Sequence, residues 1–450
     1  MGKQPIFRLI NMPMIGPAAK STPCSRPEGA ARYSAGVASA PAVAAPGKIL
    51  VLMLAAAWFL SYCDRVNLSV AAVSMQAQFG WAEATKGWVM ASVFVGYIAS
   101  QLAGGVIALR IGAVRAVGLG VLGFSFATLA TPAAATHSLG TLVALRITLG
   151  AFEGLVIPAT YSLVGAWAAP NERARLIAIV ASGATLGAPG GLALSGVLDD
   201  QFGWPAVFHA FGAIGLVWVF FWICIAGKSG EGAVADRAGA KPAGDGATLP
   251  VLRMLSHPAL WAAAAAKFGL NWIVYVFIAW LPSYYSAVQN TEIAASAMLS
   301  ALPWLSMTLM LHISAMRADR MLTSGMDPTF VRKAMQAVGI GGGIVFLLLA
   351  PLAASPLQAA LCTCAATGFL AFCFSGADAA MLDMALRRRG VIGGFANALG
   401  NFPGIVAIPL IGWSIDLTGS YSAGFVSSAA VGALSLFVWL RYGVARRVFE

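Results

Sequence analysis

Two pairs of ionisable residues interrupt a chain that is otherwise poor in charge: Asp64 and Arg65 in SYCDRVNLSV (61 to 70), and Arg146 and Glu153 in the run 139 to 161. Both lie in stretches apolar enough and long enough to cross a bilayer; the first begins with ILVLMLAAAWFL at 49 to 60. An isolated charge at the bilayer centre costs at least about 2.5 kcal/mol on insertion scales, and such residues usually face a wet cavity and mark function. Arg146 and Glu153 are seven residues apart, which puts them on one helix face with roughly 10 Å of rise between them. That is beyond an i,i+4 contact, so each must meet a group on another helix or a ligand. Asp64 and Arg65 point about 100° apart, so one can face a cavity while the other braces a neighbouring helix. A guanidinium with five fixed donors suits a carboxylate or phosphate. Two arginines beside two carboxylates therefore read as an anion site whose carboxylates take or release a proton as an anion arrives or leaves. The alternative is a buried ion-pair network that only fixes packing.

The surrounding chain must supply helices in a bilayer. Of 450 residues 59% are hydrophobic and only 10% charged, with a mean hydropathy of +0.80, whereas soluble domains carry about a quarter charged residues. The chain is expected to be an all-α, multi-pass membrane protein. At about 20 apolar residues per crossing, twelve spans are predicted: 49 to 75, 87 to 109, 114 to 135, 139 to 161, 175 to 197, 206 to 227, 258 to 282, 296 to 316, 334 to 354, 358 to 380, 391 to 415 and 422 to 443. Alternate turns are basic, including Arg110 and Arg115, Arg173 and Arg175, Arg317 and Arg320, and Arg387 to Arg389, while the opposite set of turns holds only Lys86. Lys and Arg stay on the cytoplasmic side of insertion, so both termini are expected on that side or on the equivalent face of an organelle. The net charge of +11 is thus a topology signal, and no nucleic-acid partner is expected.

The polar, Gly- and Ala-rich stretch 229 to 255 divides the spans six and six, as a flexible linker would. The expected organisation is an N-terminal segment 1 to 47, a six-helix bundle 48 to 228, the linker, and a second bundle 256 to 450. GGVIALRIGAVR (104 to 115) and SAMRADRMLTSG (314 to 325) echo one another after the second and eighth spans, as a duplicated transporter fold would leave in sequence. Residues 1 to 47 are basic, rich in Pro, Ala and Ser, and hold a single acid, Glu28. They read either as an organellar transit peptide or as a disordered cytosolic tail.

Lys267, Asp378 and Asp383 are the remaining charges within or at the ends of spans. Lys267 reads either as a further cavity cation or as a side chain reaching for the interface; Asp383 and Arg387 read as a pairing or gating couple at the membrane edge. Tyr97, Gln101, Asn271, Trp272, Tyr275, Asn397 and Asn401 place polar or aromatic groups on mid-span faces, where they contact solute or bond between helices. SGATLGAPGG (182 to 191) permits close helix approach and bending, a signal of a moving interface. The six cysteines have no metal-ligand spacing. Four histidines, at 137, 209, 257 and 312, supply neither an HExxH pattern nor a base beside a nucleophile, so no metal, cofactor or enzymatic activity is expected. No pore loop or ring of like charge suggests a channel.

These motifs resemble the anion:cation symporter family of the major facilitator superfamily, from about residue 49 to 440. The resemblance rests on YCDRVNLSVA (62 to 71), FGW (79 to 81), FVGYIASQLAGG (94 to 105), Arg146 with Glu153, Gly154 and Pro158, WAAPNERAR (167 to 175), FGWPAVF (202 to 208), NWIVYVFIAWLPSYY (271 to 285) and DPTFVRKAMQAVG (327 to 339). It implies two six-helix bundles rocking about a central site, with a proton or sodium gradient driving an organic anion or phosphate. By position it implies that Asp64 and Glu153 titrate, that Arg65 and Arg146 bind or gate the anion, and that Tyr97, Gln101 and Tyr275 line the cavity; Asn397 is expected to contact solute beside them. The expected partners are a small anionic solute and the bilayer, for a monomer in a plastid, another organellar or the plasma membrane. A non-transporting sensor built on the same fold is the alternative function.

Overall fold

The computed structural model describes residues 48–168, 172–226, 257–384, 397–446 and 448. The expected N-terminal segment, the linker 229 to 255 and the arginines at 387 to 389 lie outside the described residues. The described chain is helical, with no strand among the described residues. In order the helices are α1 Lys48–Phe79, α2 Glu83–Ile111, α3 Ala113–His137, α4 Leu139–Trp167, α5 Arg173–Phe202, α6 Trp204–Ala226, α7 Pro258–Gln289, α8 Ile293–Thr323, α9 Pro328–Leu349, α10 Pro356–Leu370, α11 Pro403–Thr418 and α12 Ser422–Tyr442. α10 continues through a π-helical turn, Phe374–Asp378, into Ala379–Met384, and a helical turn from Asn397 leads into α11. Every helix but α2 contributes one of eleven segments long and apolar enough to cross a membrane; α2 completes twelve crossings.

Local chemistry sets the ends. Ser138, Asp327 and Ser355 accept from the backbone N–H three residues on, at the starts of α4, α9 and α10, satisfying donors that a helix leaves unpaired. Pro258, Pro328 and Pro356 follow their caps, where a missing N–H costs nothing. α11 stops at Gly419 in the left-handed region.

Within the first six helices, α2 packs on α4, α1 on α5, and α3 on α4 and α6. Within the second six, α7 packs on α12, and α10 and α12 on α9, with α8 on α10. The halves meet where α2 packs on α11, α5 on α8 and α1 on α7. The α2–α4 approach is so close that a Cβ on Gly96 would stand 1.8 Å from the Ile147 carbonyl oxygen, and one on Gly150 1.9 Å from that of Val93. This backbone contact brings the charged face of α4 against the Tyr97–Gln101 face of α2. The SGATLGAPGG glycines give the close helix approach expected of them: a Cβ on Gly183 would stand 1.9 Å from the Ala55 carbonyl oxygen, so they seat α1 against α5 inside the first half.

Candidate functional site: a charged cluster at the centre of the bundle

All four charges of the two sequence pairs are buried. Asp64 is 2% exposed, and Arg146 and Glu153 are each 1% exposed. Arg65 Nε donates to Glu153 Oε2 at 3.2 Å, so the first and fourth helices are joined by an ion pair, as the seven-residue spacing required. The Arg65 guanidinium also lies 4.2 Å from the Tyr97 ring centroid and 4.9 Å from that of Tyr62, within cation–π range. Asn67 Nδ2 donates to Asp64 Oδ1 at 2.9 Å. Arg146 lies within electrostatic reach of Glu153 and Asp64. Two Arg146 donors, Nε and Nη1, and one of Arg65, Nη2, are buried without a hydrogen-bond partner. Orphaned buried guanidinium donors are rare in folded proteins. Here they flank one small cavity between the halves, with Arg65, Ser69, Phe94 and Arg146 on one wall and Ile278, Ala279 and Ile408 on the other.

A polar chain leads from this cluster into the second half. Gln101 Nε2 donates to the Tyr97 hydroxyl at 3.3 Å, and Asn401 Nδ2 donates to Gln101 Oε1 at 3.1 Å across the seam. The Tyr275 hydroxyl donates to Asn401 Oδ1, and its ring lies 4.5 Å from that of Phe94. Asn271 Nδ2 donates to the Gly400 carbonyl at 2.7 Å. Of the expected solute contacts, Arg65, Arg146, Tyr97, Gln101 and Tyr275 are thus brought together. Asn397 is half-buried and none of the described hydrogen bonds involves it; Asn401, one turn further on, makes the bridge across the seam.

Two more charges find partners within the second half. Lys267 Nζ lies 2.6 Å from Asp378 Oδ2. Asp383 pairs with Arg332, 3.1 Å away, while Arg387 lies outside the described residues. No group of three or more potential metal ligands occurs among the described residues, and the five described cysteines are free.

The end of the bundle away from the basic turns carries a seal that the sequence reading missed. Lys86, expected in a turn, lies in the first turn of α2 and is 1% exposed. Its Nζ lies 2.6 Å from Glu83 Oε2 and donates to Gln76 Oε1 at 2.6 Å and to Ser283 Oγ at 3.1 Å across the seam. Asp416, at the end of α11, accepts from the backbone N–H groups of Glu83 and Ala84 at 2.9 and 2.8 Å, so one half caps a helix of the other. Tyr421 donates to Glu83 Oε1 at 2.9 Å. Every described hydrogen bond between the halves lies in this seal or at the Gln101–Asn401 bridge. The charged cluster is therefore shut off from the Lys86 face. A lone lysine on the face that excludes positive charge, three residues after an acid, was the available sequence signal.

Twelve membrane-crossing helices in two halves, meeting around buried charge and sealed at one mouth, define a carrier. Residues 54–408 match the Major Facilitator Superfamily. The chain is 33% identical over 412 residues to sodium-dependent phosphate transport protein 1, chloroplastic, of Arabidopsis thaliana, covering 89% of this chain and 80% of that one. It is 32% identical to the chloroplastic ascorbate transporter of the same plant, over 89% and 76% of the two chains, and 30% identical to sialin of Ovis aries, over 83% and 84%. Among solved structures, a bacterial homologue of the human lysosomal transporter Spinster, inward-facing and occupied, superposes with a TM-score of 0.71 at 16% identity, over 88% of this chain and 96% of that one. A D-xylose–proton symporter does so with a TM-score of 0.71 at 14% identity, over 89% and 99%. The chain belongs to the major facilitator superfamily, in the anion:cation symporter branch that the motifs suggested. It is a multi-pass membrane transporter and not an enzyme.

Proposed function

We propose that this transporter moves a small organic anion or inorganic phosphate by alternating access, driven by a proton or sodium gradient. The observation that carries the reading is the pair of buried, unpartnered Arg146 donors on the cavity wall shared with Arg65. A carboxylate or phosphate oxygen is the group that such donors hold best. Glu153 occupies Arg65 in the present arrangement, so an arriving anion competes with it. Protonation of Glu153 or Asp64 frees the arginines and admits the anion; departure of the proton returns the carboxylate to its partner. Closure at the basic face then accompanies release of the Asp416, Lys86 and Tyr421 contacts at the other mouth.

The names of the relatives, which include phosphate and ascorbate transporters with chloroplastic placement, support a small oxyanion as solute and a plastid membrane as the location. We further take the functional unit to be a monomer, because the charged cluster is built within one chain. The test is uptake of labelled phosphate, ascorbate and glutamate into proteoliposomes under imposed pH and sodium gradients. Saturable accumulation of at least one, abolished by dissipating one of the gradients, is expected. Binding without accumulation would favour a sensor, and flux that never saturates would favour a channel.

A further inference from the structure

Lys267 and Asp378 form a second ion pair, on the second half, that the central cluster does not use. The side chains are 16% and 18% exposed, against 6% and 1% for Arg65 and Glu153, so this pair is the more accessible of the two. Lys267 has three donors, yet among the described hydrogen bonds only the one to Asp378 involves it; the Phe374 ring lies 5.6 Å from Nζ. Asp378 closes the π-helical turn Phe374–Asp378, in which Gly376 leaves helical geometry at φ −90° and ψ −110°. Such turns recur at functional sites.

Lys267 also shares a helix face with the residues of the central bridge. Lys267, Asn271 and Tyr275 follow one another at single-turn spacing along α7, and Tyr275 reaches the Asn401–Gln101 bridge. Lys267 therefore lies about 12 Å from Tyr275 along the helix axis, toward the basic face, where none of the described hydrogen bonds joins the halves. Its stem packs where a Cβ on Gly400 would stand, 2.4 Å from Lys267 Cγ, beside the bridging Asn401. A purely structural role explains the pair poorly, since apolar side chains of similar volume generally stabilise as well as a buried ion pair.

We propose that Lys267 is a second anion-binding residue of the transport path: a carboxylate or phosphate moving between the central arginines and the basic face takes the place of Asp378 on its ammonium group. The inference rests on the anion-transport reading. Asp378 is then an internal competitor, and the pair re-forms once the solute has passed.

Competition gives the two partners opposite effects. In proteoliposome uptake of labelled phosphate, ascorbate and glutamate, Lys267→Met is expected to raise the half-saturating concentration of the transported anion about tenfold, the size of one lost charge-assisted contact. Asp378→Asn is expected to lower it a few fold, and the double variant to behave like Lys267→Met. Lys267→Arg keeps the charge and serves where Lys267→Met does not yield monodisperse protein; with Asp378→Asn it then carries the test. If both single changes impair uptake alike and the double change restores it, the pair only supports the fold and the inference fails. Half-saturation that ignores both changes also overturns it, while leaving the anion-transport reading intact. Uptake of none of the three anions by the unmodified protein would instead defeat that reading, and this inference with it.

Discussion

Replacing Glu153 by Gln removes one charge from a cluster that is formally neutral: Asp64 and Glu153 contribute −2, Arg65 and Arg146 +2. The substituted cluster carries +1 with no change of shape. The lost contact is the 3.2 Å ion pair with Arg65. At an effective dielectric near 20, unit charges at that separation attract by about 5 kcal/mol, and breaking a buried pair by removing one partner costs about 3 to 5 kcal/mol net. A visiting anion on Arg65 recovers part of that loss. If about 3 kcal/mol returns, anion affinity rises on the order of a hundredfold. Glu153→Gln should therefore unfold at lower temperature than the unmodified protein in anion-free detergent and regain most of the difference when the transported anion is added. In proteoliposomes it should keep anion-for-anion exchange, which needs no proton, and lose accumulation driven by a gradient. A variant that accumulates anion as the unmodified protein does would refute the assignment of Glu153 as the group that yields Arg65 to solute.

Three further outcomes are expected. Asp416→Ala removes the cap on two backbone N–H groups across the seam, worth about 0.5–2 kcal/mol. A cysteine placed at Ala279 on the central cavity wall should then label up to about thirtyfold faster from the Lys86 face, and an unchanged rate would argue against the seal. Gln101→Ala and Asn401→Ala should prove non-additive in a double-mutant cycle of thermal stability, with a coupling of about 0.5–1.5 kcal/mol; strict additivity would mean that the bridge is not formed. Gly150→Ala should prevent recovery of folded protein, because its Cβ would stand 1.9 Å from the Val93 carbonyl oxygen, whereas a Cβ on Gly341 meets nothing within 4 Å. There Gly→Ala should stabilise by about 0.5–1 kcal/mol, and equal monodisperse yields from the two variants would contradict the α2–α4 approach.

The fold was legible because bilayer insertion writes its constraints locally: each crossing is a contiguous apolar run, and the basic turns alternate with turns that hold only Lys86. The central cluster was legible for a related reason, since a charge such as Arg146 or Glu153 inside an apolar run is visible without knowing its partner. Partners were less legible. Lys267 and Asp378 are 111 residues apart and each reads alone as an isolated polar group; only the rotation of α7 against α10 makes them a pair. Asn397 and Asn401, four residues apart, share one helix face, which is readable from spacing, but that Asn401 is the one to bond Gln101 across the seam depends on tertiary packing. Asp416 was missed because its partners are backbone N–H groups of α2, which no residue type advertises. The glycines at 183 to 191 signalled close packing correctly, but spacing does not say whether the neighbour belongs to the same half or the other.

The central claim is that Arg65, Arg146, Asp64 and Glu153 form one site in which a travelling anion displaces a carboxylate from an arginine. Its most direct test is accumulation of a labelled small anion against its own gradient, comparing the unmodified protein with an Arg146→Ala/Glu153→Gln double variant that is shown to be folded and inserted. Accumulation by the first and none by the second is the predicted result; equal accumulation by both would contradict it.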